Sequence, residues 1–248
     1  MMGPSIKEIK WLKECLNKCY DITDLGEISS YLSIPITRDR SKKHLEIDQA
    51  RYVKDVIDRF NMTDANPNYT PLPAGADVHL VKYTKEASQD DIKLYQSLIG
   101  SLLYVQIGTC PDISFAVSRL AQYTANPSAQ HIRLAKYVLS YLIGSADMRL
   151  CYDGADGEGL HGYSDSSLGD QTDDRTCTSE YVFLLANGVI SWSSCKQQTS
   201  AQNTTEAEYM AMTDVANQAK WYRSIISELS YTINNPIQIH GDNKGAIQ

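Results

Sequence analysis

A chain of 248 residues with 42% apolar content is long enough to bury one or two ordinary cores. No run of about 18 apolar residues occurs, so no helix is long and apolar enough to cross a membrane, and the amphipathic start M-M-G-P-S-I-K-E-I-K lacks the apolar stretch of a secretion signal. The net charge of −7 is concentrated: residues 153–248 hold 5 Lys and Arg against 13 Asp and Glu, whereas residues 1–60 hold 11 against 10 and residues 61–152 hold 7 against 7. An acidic last third suits a site that gathers divalent cations, or a plain solvated surface, better than it suits unaided phosphate binding.

In chain order, Ile6, Ile9, Leu12, Leu16 and Cys19 form a helical stripe over residues 5–20. D-L-G-E (24–27) is a turn before the strand Y-L-S-I-P-I-T-R-D, which Pro35 marks as edge or bulged. R-S-K-K (40–43) turns into a second strand, H-L-E-I, and residues 52–60 return to helical spacing. Residues 61–92, with Pro67, Pro71 and Pro73, read as a linker. Helices are predicted near 93–107, from about Asp112 to Tyr123, and from Asn126-Pro127-Ser128 to Gly144, with Pro127 in the first turn of the last and Ile132, Ala135 with Lys136, Leu139 and Leu142 as its packed face. Aromatic residues of this helical unit are expected in its core. Beyond it, L-H-G-Y-S-D is a strand, Y-V-F-L-L-A-N-G-V-I-S-W a hairpin about Asn187-Gly188, residues from about 204 a long helix, and P-I-Q-I-H-G-D a last strand.

The six cysteines, Cys15, Cys19, Cys110, Cys151, Cys177 and Cys195, include no C-x-x-C pair. Cys15 and Cys19 are i, i+4 neighbours without a second ligand pair, so no zinc site is expected and a reducing compartment is the expected setting. The sequons at Asn61, Asn68 and Asn203 then carry no glycan. G-A-D-G-E-G is too acidic for a phosphate loop.

The segment N-T-T-E-A-E-Y (203–209) opens the long helix with two carboxylates that point about 200° apart. From Glu208, alternating steps of four and three meet Met212, Val215, Ala219, Tyr222, Ile226 and Leu229, an apolar stripe. From Glu206 they meet Met210, Thr213, Asn217, Lys220 and Ser224. Glu206 is therefore expected in water and Glu208 on the buried side, where a carboxylate needs a partner. Either Thr205-x-x-Glu208 or Asn203-x-x-Glu206 could be the capping box, and only the second leaves Glu208 free. Strand alternation sets His161, Tyr163 and Asp165 on one face and Gln238, His240 and Asp242 on another, so each strand ends in an aspartate. If the two strands are parallel neighbours, both aspartates emerge at the carboxyl edge of the sheet, where α/β sites lie. Asp165, Glu208 and Asp242 would then converge, and like charges that close call for divalent cations, Mg²⁺ or Mn²⁺ given oxygen donors alone.

The segments YSDSSLGDQTDDRTCTSEYVFLLANGVISWSSCKQQTSAQNTTEAEYMA and IHGDN resemble the ribonuclease H domain of copia-type retrotransposon polyproteins. Upstream, DLGEISSYLSIPITRD, LEIDQARYVKDVIDRFNM, TPLP and YQSLIGSLLYVQIGTCPDISFAVSRLAQYTANPSAQHIRLAKYVLSYLIGS resemble, in the same order, the palm end and the thumb or connection of that family's reverse transcriptase. The resemblance implies an α/β domain (α+β overall), with a ribonuclease H-like mixed sheet and flanking helices, preceded by a helical thumb-like unit and a short hairpin region. It divides the chain into residues 1–75, 76–150 and 151–248, the last taken as incomplete at its C-terminal end. It implies catalytic and metal-binding roles for Asp165, Glu208 and Asp242, two Mg²⁺ ions about 4 Å apart, and the RNA strand of an RNA–DNA hybrid as substrate, recognised through its 2′-hydroxyls. Partners would be the hybrid and other parts of the polyprotein, not a membrane, in a cytoplasmic, nuclear or virus-like-particle setting.

The chain departs from the family pattern at several points. The polymerase motif Tyr-x-Asp-Asp is absent, so no polymerase activity is expected; Leu168 replaces a tryptophan, Glu180 a glycine and Cys110 an arginine. A fourth acidic ligand would fall beyond Gln248. These departures leave open a catalytically inactive remnant that binds nucleic acid or protein. Lys196, Gln197, Gln198 and Gln202 could meet a hybrid backbone, and Arg38, Lys42 and Lys43 are either a phosphate-facing cluster or a solvated turn. His161 and His240 could tune the site or simply pack, and the acidic run 172–175 is a loop.

Overall fold

The computed structural model describes residues 5–76, 80–155, 158–167, 176–229 and 235–247. Leu168 and the run 172–175 lie outside them. Ser5 caps α1 (Ile6–Cys19) by accepting the Glu8 amide. The apolar stripe is present, but no residue of α1 is buried among the described residues: Ile9 and Leu16 are half-buried, and Trp11 is 64% exposed.

The stretch read as one strand over 31–39 is two, β1 (Ser30–Tyr31) and β2 (Ile34–Asp39), because Leu32 and Ser33 take positive φ and reverse the chain. β3 (His44–Ile47) pairs antiparallel with Ile36–Asp39 only, while Pro35 faces Ser30 of β1, so the missing N–H of proline removes no β3 bond. A fourth strand with no counterpart in the sequence reading, β4 (Leu150–Asp153), pairs antiparallel with β3 and completes the order β1-β2-β3-β4. The turn after β2 covers residues 40–43; Arg38, Lys42 and Lys43 are all exposed, and Lys42 pairs with Asp39 at 3.8 Å.

Between β3 and β4 the chain builds a helical core from α2 (Ala50–Arg59), α3 (Gln89–Gly108), a 3-10 turn (Pro111–Ile113), α4 (Ser114–Ala121) and α5 (Ala129–Ser145). One continuous cluster of buried apolar residues runs from Val53 and Val56 through Leu98, Leu102 and Leu120 to Leu139 and Leu142. It includes α2 together with the later helices. Helix α3 starts at Gln89, inside the expected linker, because the Ser88 hydroxyl accepts the Asp91 amide. Pro127 lies before the helix, not in its first turn: Ser128 is the cap and exchanges two hydrogen bonds with His131. Tyr95 and Tyr123 are buried as expected, their hydroxyls donating to the carbonyls of Leu120 and Leu80.

The second sheet has the order β7-β6-β5-β8. β5 (His161–Ser167), β6 (Thr178–Leu185) and β7 (Gly188–Lys196) are antiparallel, and β8 (Gln238–His240) runs parallel to β5. The molecule is thus of mixed α+β class, with the hairpin on one side of β5 and the parallel strand on the other. The hairpin turn is Ala186-Asn187, both at positive φ, one residue earlier than the Asn-Gly signal suggests. Gly188 serves a different need, since a Cβ there would lie 2.3 Å from the Tyr152 ring and 2.5 Å from the Cys151 carbonyl of β4. Helix α6 (Thr204–Glu228) crosses one face of this sheet, with Phe183, Val215 and Ala219 as its buried apolar centre and Ile237 and Ile239 packed against them. Gly162 leaves room for Phe183, whose ring would meet an added Cβ at 2.8 Å. A short α7 (Lys244–Ile247) follows, capped by Asn243.

Candidate metal centre

Asp165 and Asp242 lie at the same sheet edge because β5 and β8 run parallel in the register His161 with Gln238 and Tyr163 with His240. Glu208 reaches that edge from the first turns of α6. The buried alanines Ala207 and Ala211 are small enough for the helix to lie close to the sheet. One oxygen from each of Asp165, Glu208 and Asp242 lies within 4.8 Å of the other two. The three carboxylates expected to converge do so.

The two glutamates of the helix start separate as the periodicity requires. Glu206 is exposed; its amide donates to Asn203 Oδ1 at 2.9 Å, and its carboxylate accepts the Gln202 amide at 2.7 Å. The cap is therefore built on Asn203 and Glu206, one residue displaced from an ideal box, and Glu208 is left out of it. Glu208 is 5% exposed, and its Oε2 has no hydrogen-bond partner. Burial raises its pKa above the ordinary carboxylate value; the nearby Asp165 charge adds to this, Ser166 opposes it, and Asp242 adds further. Of the stripe it heads, Val215 and Ala219 are buried and Met212, Tyr222 and Ile226 half-buried, whereas Leu229, at the C-terminal cap, is 55% exposed.

The immediate surroundings add Ser166 and Ser194, which the sequence did not single out, and Glu180, which it marked as a departure from the family pattern. The Ser166 amide donates to Asp165 Oδ1 at 2.8 Å and fixes that carboxylate on its strand. Glu180 is the cross-strand partner of Asp165, which sets two like charges opposite each other; the Ser194 hydroxyl donates to Glu180 at 2.6 Å. On the face away from α6, a groove of about 300 Å³ runs between the second sheet and the start of α4, lined by Asp112, Phe115, Tyr163, Asp165, Glu180 and Trp192 among others. The Trp192 indole N–H closes one end by donating to the Gln106 carbonyl at 3.1 Å. No basic residue is among the described residues that line this groove, in keeping with the acidic balance of the segment.

The two histidines are engaged structurally. His161 bonds the Gly159 carbonyl at 2.9 Å, and His240 stacks on Tyr163 with ring centroids 4.9 Å apart. Of the residues offered as hybrid contacts, Gln197 is corrected: it is 6% exposed, and its amide donates to Ser179 and to the Ala207 carbonyl, tying the hairpin to α6. Lys196, Gln198 and Gln202 remain at the surface.

With this geometry in place, comparisons with known proteins give the chain its kin. Residues 1–74 match the family described as Reverse transcriptase (RNA-dependent DNA polymerase). The chain is 35% identical over 221 residues to the Retrovirus-related Pol polyprotein from transposon TNT 1-94 of Nicotiana tabacum, covering 88% of this chain and 17% of that protein. It is 33% identical over 231 residues to the Retrovirus-related Pol polyprotein from transposon RE1 of Arabidopsis thaliana, covering 93% and 15%. The chain thus spans about a sixth of the length of these relatives. Against the shorter Putative transposon Ty5-1 protein YCL074W of Saccharomyces cerevisiae it is 31% identical over 213 residues, covering 86% of this chain and 68% of that one. No solved structure matches the chain. The ordered similarity to these proteins along nearly its whole length places the chain in the retrotransposon Pol family, with homology to the reverse transcriptase region of those polyproteins.

Proposed function

We propose that residues 151–248 act as a ribonuclease H-like unit, hydrolysing the RNA strand of an RNA–DNA hybrid. On this reading residues 1–75 correspond to the end of a reverse transcriptase palm and residues 76–150 to its thumb or connection, and the partners are the hybrid and the remaining parts of a Pol polyprotein. The observation that carries the proposal is the meeting of Asp165, Glu208 and Asp242 within 4.8 Å, drawn from a strand, a helix and a second strand.

The residues fit a hard divalent cation. The donors are carboxylate oxygens alone, the set that Mg²⁺ or Mn²⁺ prefers. Glu208 Oε2, buried without a hydrogen bond, is the kind of group a cation satisfies. When bound, such ions supply an activated water for in-line attack and charge for the departing 3′ oxygen. The chain's own part is to hold that charge in place: two aspartates on a sheet edge locked by strand pairing, one of them oriented by the Ser166 amide, and a glutamate on a helix pinned to the hairpin through Gln197. No polymerase activity is proposed, because Tyr-x-Asp-Asp is absent.

A second reading, a catalytically inactive remnant that binds nucleic acid or protein, is favoured by Glu180, whose charge faces Asp165 across the strand pair. Incubating the chain with a labelled RNA–DNA duplex separates the two. Cleavage that requires Mg²⁺, stops with chelator and is abolished in Asp165→Asn supports the nuclease. A hybrid that stays bound and intact in Mg²⁺ and in Mn²⁺ supports the remnant.

A further inference from the structure

We propose a second metal site, for zinc or a similar borderline cation, on the outer face of the first sheet, with His44, Glu46 and Cys151 as its ligands. His44 and Glu46 are i, i+2 on β3 and so share a face, and Cys151 of β4 is the register partner of Glu46. Their nitrogen, oxygen and sulfur donors all lie within 4.8 Å of one another. The site is independent of the carboxylate cluster on the second sheet and of the nuclease reading.

The donor chemistry differs from that cluster in kind. Imidazole, thiolate and carboxylate together suit Zn²⁺, whose bonds of about 2.0–2.3 Å set tetrahedral donors about 3.3–3.8 Å apart. His44 and Glu46 share a hydrogen bond that a cation would replace, and the Cys151 thiol makes a weak 3.8 Å contact to the Arg149 carbonyl. His44 Nε2 and Glu46 Oε1 are 3.0 Å apart, while Glu46 Oε2 is held at 2.7 Å by Arg149. One carboxylate oxygen is thus turned toward the imidazole and the other is fixed by a neighbour, the outer-shell arrangement that steadies metal ligands. Cys151 is free and exposed, so the sulfur can be reached from solvent. On binding, the Cys151 thiol proton passes to solvent, the sulfur lone pair goes to the metal, and the fourth position is left to water. The Arg149 charge opposes a cation, and Asp48, 4.0 Å from Arg149, offsets it.

The test uses the reduced, unmutated chain and its variants with Co²⁺ and Zn²⁺ alone as probes. The expected results are one equivalent of Zn²⁺ taken up in excess Mg²⁺ and a thiolate-to-cobalt charge-transfer band. Cys151→Ser should lose that band and bind Zn²⁺ at least tenfold more weakly, His44→Ala should also bind at least tenfold more weakly, and Asp165→Asn should leave both readings unchanged. A missing band in the unmutated chain, or one that persists in Cys151→Ser, overturns the site and leaves His44, Glu46 and Arg149 as a surface ion-pair network. Alkylation of Cys151, followed by mass spectrometry, gives the answer without any substitution: Zn²⁺ slows it at least tenfold if the site exists, and an unchanged rate refutes it.

Discussion

The helical core and the second sheet are stabilised on different scales. The first gathers buried side chains from four helices, with Leu98, Leu102, Val105, Leu120 and Leu139 fully enclosed. Among the described residues the second has one cluster of three buried apolar side chains, Phe183, Val215 and Ala219, under a rim of half-buried ones, with the small Cys177, Ala207 and Ala211 buried beside it. The thinner unit also holds the costlier group, Glu208, among like charges. A site that concentrates negative charge lowers the stability of the element that carries it. The Trp192 bond to Gln106 fastens the second sheet to the helical core, and the Tyr152 hydroxyl bond to the Val189 carbonyl at 2.8 Å fastens it to the first sheet.

The largest test of this contrast is a pair of core truncations. Phe183→Ala is expected to lose about 3–5 kcal/mol and Leu102→Ala about 2–5 kcal/mol. The first should melt the second sheet while the helical signal survives to higher temperature, and the second should lower the helical transition. Calorimetry of both variants checks this, and a single shared transition in each would break the comparison.

A smaller effect is expected at Glu208. Its pKa is raised on folding, so the stability linked to its protonated form is present below the ordinary carboxylate value and is lost as pH rises through the raised one. Glu208→Gln should therefore raise the melting temperature by about 2–4 °C at neutral pH in chelator. It should also flatten the decline from acid to neutral pH and remove the upward shift that Mg²⁺ gives the unmutated chain. A lower melting temperature for the variant in chelator would contradict the account. The smallest effect belongs to its neighbour. Glu206→Gln should weaken one exposed capping bond, costing about 0.5–1 kcal/mol or less, and leave the response to Mg²⁺ as it was.

How much of this could be read beforehand depended on range along the chain. The helical period separated Glu206 from Glu208, and strand alternation set Asp165 and Asp242 on matching faces, because both are local consequences of backbone geometry. Their convergence needed one further assumption, a parallel pairing of the two strands, which the sheet bears out. What stayed hidden was non-local. β4 is four residues long and becomes a strand only because β3 is there to receive it. For the same reason the cysteine spacing showed no metal pattern, although strand pairing sets Cys151 opposite Glu46, more than a hundred residues away. Gln197 read as a surface residue because its partners, Ser179 and Ala207, belong to other elements. The apolar stripe of α1 is equally clear in the sequence, yet among the described residues none of it is buried.

The seam at Gly188 has a consequence of its own. An aromatic ring and a peptide oxygen of one sheet occupy the space that a side chain at this position of the other would fill. A single methyl group added there would act as a wedge, prying the hairpin from its neighbour before any contact in either interior was touched. The close approach of the two sheets at this seam thus rests on the absence of a side chain at position 188.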